Sequence, residues 1–125
     1  MDWLDLPAEP TADEVHAWHL YPLRLRTRQP LELRNQVIER LKAEGIGTSV
    51  HFIPLHMHPY YRRTFGYEPD DFPVARAEYE REISLPIYPD LTDDEVDRVT
   101  DSLARILRSA KAAPGQGARS RPRGR

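Results

Sequence analysis

Three histidines crowd the run His51-Phe52-Ile53-Pro54-Leu55-His56-Met57-His58-Pro59-Tyr60-Tyr61. Imidazole is the commonest metal ligand, and His56-x-His58 brings two rings close together on an extended chain. A hydrolytic metal centre also needs a third ligand and a base. Glu68, Asp70 and Asp71 follow in sequence, but no ligand signature ties them to the histidines. No metal site is expected. His56 and His58 read as rings at a surface or cleft edge, hydrogen-bonded to backbone. His51 differs, because it falls in a strand-like run on the side opposite Val50 and Phe52. Such a ring is either solvated or lines a cleft, where it can donate to phosphate or sugar oxygens.

Other catalytic patterns are missing. There is no GxGxxG, no phosphate-cradling GxxxxGK[ST] and no GxSxG elbow. The lysines are Lys42 and Lys111. Neither reads as a buried amine poised for covalent catalysis. Glu78, Glu80 and Glu82 read as a solvated helix face, as do Asp93, Asp94 and Glu95. The second group also complements the dipole of a helix start. Cysteine is absent, which excludes disulfides, thiol chemistry and cysteine-ligated zinc. No catalytic residue is assigned.

Several elements could position these side chains. Leu23-Arg24-Leu25-Arg26 alternates apolar and basic, a half-buried strand. Pro22 cannot donate to a ladder, so it marks an edge or a bulge. Pro30 opens a helix whose Leu33, Val37, Ile38 and Leu41 share one face, and Gly45 stops it. Ile46 to Phe52 reads as a second strand, with Ile46, Thr48, Val50 and Phe52 on one side. An irregular aromatic stretch follows. Phe72 to Glu82 reads as a helix and Ile83 to Tyr88 as an extended edge segment. Thr92 and Glu95 form a capping box, and Val96, Val99, Leu103, Ile106 and Leu107 stripe the last helix. The class is α/β of the α+β type: a small, mostly antiparallel sheet covered by helices.

The chain has 125 residues, 39% hydrophobic and 30% charged, with a net charge of -2. That suits one domain and gives no basic excess to suggest nucleic acid. Residues 109–125 carry Lys111 and four arginines without an acid, which leaves residues 1–108 at -7. Their composition reads as a disordered basic tail. Residues 1–14 read as a lead-in segment and 15–108 as the folded body. No apolar run suits a membrane helix, and Met1-Asp2-Trp3-Leu4-Asp5 lacks signal-peptide order, so a cytoplasmic protein is expected.

Four segments together resemble the C-terminal small domain of the DegT/DnrJ/EryC1/StrS family, the pyridoxal-phosphate-dependent sugar aminotransferases. They are Trp18 to Leu25, Leu41-Lys42-Ala43-Glu44-Gly45-Ile46-Gly47-Thr48, Val50-His51-Phe52-Ile53-Pro54-Leu55-His56-x-x-Pro59-Tyr60, and Ser84-Leu85-Pro86-Ile87-Tyr88-Pro89-Asp90-Leu91-Thr92. The resemblance implies the small domain of a fold-type-I aminotransferase. It implies a homodimer whose active site lies between a large cofactor-binding domain and this one. Amino transfer would run from an amino acid such as glutamate to a keto-sugar nucleotide. In the family the large domain holds pyridoxal phosphate through a lysine, and none of its motifs occurs here. The chain therefore reads as a fragment that is inactive and cofactor-free alone. By the same resemblance His51 contacts the nucleotide-sugar, and His56 and Tyr60 line the cleft. The alternatives are a stand-alone, non-catalytic binding or dimerisation module, or a vestigial truncated product. A domain parted from a larger partner should also expose apolar and aromatic side chains, for which Phe52, Met57, Tyr60, Tyr61 and Tyr88 are the candidates.

Overall fold

The computed structural model describes residues 3–112. Leu23 and Leu25 point the same way along β2 (Tyr21–Leu25), as the alternation requires. β2 is the middle strand of an antiparallel sheet in the order β1-β2-β3. β1 is Leu4–Asp5, placing Leu4 against Leu25 and Asp5 against Arg24. β3 is Glu82–Leu85, placing Ile83 against Leu23 and Ser84 against Pro22. Pro22 is tolerated in a central strand because β1 pairs only with Arg24 and Leu25, which leaves Pro22 locally at an edge.

Helices cover one face of this sheet. α1 (Pro30–Ala43) starts on proline, whose missing amide costs nothing there. Its Val37 and Leu41 are fully buried, with Leu33 and Ile38 packed beside them. α1 ends in a Schellman turn: Ile46 N–H donates to the Leu41 carbonyl at 2.9 Å and Gly45 N–H to the Lys42 carbonyl at 3.0 Å. Gly45 takes the left-handed φ of 75° that this turn needs. α4 (Asp93–Ala112) contributes Val99, Leu103, Ile106 and Leu107 to the same core as Leu4, Leu23, Leu25 and Ile83. Between them, α2 (Pro59–Phe65) and α3 (Pro73–Arg81) are each preceded by a single 3-10 turn, Leu55–Met57 and Pro69–Asp71. The expected α+β class, a small antiparallel sheet covered by helices, is the one observed.

Several expectations need correction. Ile46 to Phe52 does not form a strand. It meets the sheet at one isolated bridge, Ser49 to Ser84, because the chain turns away after His51 and leaves Phe52 77% exposed. Leu4 and Asp5, placed by sequence in a lead-in, form β1, because Leu4 fills the core beside Leu25. Residues 109–112, assigned to the tail, continue α4. Alanine and lysine propagate a helix readily once it is packed, and the Ser109 hydroxyl donates to the Ile106 carbonyl at 2.8 Å. The rest of that tail, 113–125, lies outside the described residues. Val96 sits in the first turn of α4 and is exposed. The stretch read as irregular contains α2, which Pro59 opens and Gly66 closes at a left-handed φ of 71°.

Candidate functional site

β3 explains where His51 sits. Ile83 points into the core at 0% exposure, so its neighbours Glu82 and Ser84 point to the opposite face. That face is not solvent. Glu82 is 7% exposed and Ser84 3%, because the segment following α1 lies along the strand. Ser49 N–H donates to the Ser84 carbonyl at 3.1 Å, and Ser84 N–H returns a bond to Ser49 at 2.8 Å. Two residues on, in the same direction, His51 arrives over Glu82. Its backbone N–H donates to Glu82 Oε2 at 2.9 Å, and its Nδ1 lies 2.9 Å from Ser84 Oγ. The Ser84 hydroxyl donates to Glu82 Oε1 at 2.5 Å. The expected opposition of His51 to the core therefore holds, though it is set by a bridge and three side-chain bonds rather than by a full ladder.

Glu82 and Ser84 are the residues that sequence reasoning missed. The spacing of Glu82 with Glu78 and Glu80 predicts a solvated helix face. The helix ends at Arg81, and Glu82 opens the strand and is buried. The signal was present in the alternation Glu82-Ile83-Ser84-Leu85, with its polar partners on one side.

His56 and Tyr60 stand apart from His51. No hydrogen bond or ring contact joins them to it among the described residues. His56 is buried, donates from Nε2 to the Pro69 carbonyl at 3.2 Å, and packs on Phe72 with ring centres 4.6 Å apart. His58 donates likewise to the Ile53 carbonyl at 3.2 Å. Both rings make the backbone bonds read from sequence, but His56 is buried against Phe72 and not at the surface or cleft edge expected of it. Tyr60 is exposed and meets Tyr61 edge-on. From Tyr61 a chain of ring contacts runs through Phe65 and Tyr67 to Phe72, which fixes this loop-rich region around His56. Two open cavities lie nearby: about 580 Å³ beside Thr27, Pro30, Pro73 and Arg81, and about 360 Å³ lined by Met57, Pro59, Arg62, Arg63 and Glu68. His51 lines neither. Among the described residues, no three His, Asp or Glu side chains come together in a way that could hold a metal ion.

The family model of the DegT/DnrJ/EryC1/StrS aminotransferases matches residues 3–104. The chain belongs to this family. It is 58% identical over 92 residues to the uncharacterized protein MJ1066 of Methanocaldococcus jannaschii, covering 74% of this chain and 24% of that protein. It is 48% identical over 99 residues to the spore coat polysaccharide biosynthesis protein SpsC of Bacillus subtilis, covering 78% and 25% respectively. Among solved structures, Spr1654 of Streptococcus pneumoniae, assigned to the sugar aminotransferases and seen in its PMP form, aligns with a TM-score of 0.77. That alignment has 31% identity and covers 85% of this chain and 26% of the other. The chain thus spans about a quarter of the length of the relatives it matches. DegT/DnrJ/EryC1/StrS aminotransferases depend on pyridoxal phosphate. The described residues do not fit that group. Lys42 stands exposed on α1, and neither cavity includes it. No described helix is long and apolar enough to cross a membrane.

Proposed function

We propose that this chain is the substrate-side domain of a pyridoxal-phosphate-dependent sugar aminotransferase. It works against a cofactor-binding domain, in the transfer of an amino group from an amino acid such as glutamate to a keto-sugar nucleotide. The observation that carries the reading is the placement of His51. The ring stands on the sheet face opposite the buried Leu23 and Ile83, anchored by β3 and still half-exposed. A side chain held that firmly, yet open to one side, suits contact with a ligand that a second domain covers. His51 touches the nucleotide-sugar, and Tyr60 lines the same cleft from α2. His56 has the supporting position, holding the turn ahead of α2 against Pro69 and Phe72. Family membership supports the chemistry, and the name of SpsC supports a role in building a polysaccharide. The exposed Phe52, Leu55 and Tyr60 favour a surface that packs on the cofactor-binding domain.

The test combines the chain with a cofactor-loaded large domain and follows glutamate-dependent amination of a keto-sugar nucleotide. His51→Ala should raise KM about two- to tenfold, the loss of one neutral hydrogen bond of ~0.5–1.5 kcal/mol. Its melting temperature should stay nearly unchanged, because the ring lies outside the core. A variant that melts well below the parent while keeping its KM would refute the assignment.

A further inference from the structure

The hydroxyl proton of Ser84 decides what His51 offers to a ligand. Glu82, as a carboxylate, can only accept. Its Oε2 takes the His51 backbone N–H, and its Oε1 takes the Ser84 hydroxyl. Ser84 has one hydroxyl proton, and this bond uses it. The 2.9 Å contact between Ser84 Oγ and His51 Nδ1 therefore contains a hydrogen only if Nδ1 supplies it. Which ring nitrogen of a histidine carries the proton is set by the bond made at the other. The Phe52 ring stands edge-on to the imidazole at 4.8 Å and 87°, closing another side of it. Nε2 makes no hydrogen bond among the described residues.

We infer that Glu82 and Ser84 are positioning residues that hold neutral His51 as its Nδ1–H tautomer, so that Nε2 faces the ligand as a hydrogen-bond acceptor. The group it recognises is then a donor, a sugar hydroxyl or an amine. The neutral ring does not donate from Nε2 to a phosphate, one of the roles its sequence setting allowed. The relay also orients the ring, because the backbone and the imidazole of His51 are tied to the same two residues of β3. The nature of the ligand rests on the function proposed above; the tautomer does not.

The test uses the whole chain, without ligand, with ¹⁵N-labelled histidine rings. Long-range proton–nitrogen correlation spectra at alkaline pH, where the rings are neutral, distinguish a protonated Nδ1 from a protonated Nε2. The His51 signals are those missing from His51→Gln. The expected result is a ring overwhelmingly in the Nδ1–H form. Ser84→Ala should release it to a mixture rich in Nε2–H, and Ser84→Thr, which keeps the hydroxyl, should restore Nδ1–H. A merely structural serine would not move the tautomer while the fold survives. An Nε2–H ring in the unaltered chain overturns the relay, and this measurement decides the matter even if Ser84→Ala fails to fold. A folded Ser84→Ala chain that keeps Nδ1–H overturns it as well. An Nδ1–H ring combined with a His51→Ala enzyme of unchanged KM would leave the relay standing and remove the sugar-binding reading.

Discussion

Both oxygens of buried Glu82 are taken, one by the hydroxyl of buried Ser84 and the other by the His51 amide. Glu80, two residues earlier, bonds Arg76 at 2.7 Å on the flank of α3, and Glu78 is shared between Arg24 and Arg81 near solvent. The energetic consequences differ accordingly. Removing one partner of a buried bond strands the other, whereas exposed ion pairs contribute little. Glu82→Ala should lower stability by about 1–3 kcal/mol, read as a shifted urea midpoint at constant slope. Glu80→Ala should shift it much less. Equal effects would mean that the β3 network is solvated. The three residues look alike in sequence, since a glutamate in a short charged run carries no mark of burial. What separates them is that the helix stops at Arg81.

The turn after α1 ties a helix end to the candidate site, because the chain leaves Gly45 only a few residues before Ser49. Gly45 sits at φ 75°, where a Cβ strains against the following carbonyl. Gly45→Ala should cost about 1–2 kcal/mol by urea denaturation, while α1 itself stays helical by circular dichroism. An added methyl group would also meet Arg98 Nη2 at 3.5 Å, an ordinary contact, so the backbone and not crowding sets the cost. At the start of α4, Glu95 accepts from the Thr92 N–H at 2.9 Å and from its hydroxyl at 2.9 Å. The Thr92 amide, then its hydroxyl, hold the Glu95 carboxyl below its ordinary value of 4.5. A carboxyl lowered by folding stabilises above its unfolded value, and that contribution fades as pH falls through the folded value. Glu95→Gln should therefore be less stable than the parent at neutral pH, and the gap should narrow as pH falls below 4.5 and through the lowered folded value. A gap that does not change with pH at all would show that the carboxylate charge contributes nothing. α1 and α4 were legible because a 3.6-residue apolar stripe is a property of the helix alone. The run Ile46 to Phe52 was not, because a strand exists only where a partner accepts its ladder, and β3 accepts it at Ser49 alone.

Phe52, Ile53, Leu55, Tyr60 and Phe65 are each between 47% and 77% exposed, on a domain whose core is built elsewhere. Of the residues expected at such a surface, Phe52, Tyr60 and Tyr88 are exposed, while Met57 and Tyr61 are half-buried. This much apolar surface on a small domain favours association. The purified chain should self-associate as concentration rises, measured by sedimentation. Phe52→Ser should reduce this without moving the melting temperature, since exposed positions change stability by about ±0.5 kcal/mol or less. A chain that stays monomeric throughout, alone and with a cofactor-binding domain, would deny this surface a partner.

The amino-acid sequence alone determined the helix faces of α1 and α4 and the capping chemistry of Thr92 and Glu95. Each of these depends on residues a few positions apart, so the local period carries them. Tertiary structure decided the rest. Asp5 and Arg81, 76 residues apart, pair at 3.2 Å and tie β1 beside α3. Glu82, Ser84 and His51 meet only because one bridge lays the segment after α1 along β3. Burial and the direction of a hydroxyl proton depend on which distant segments come to lie together, and no window of neighbouring residues contains that information.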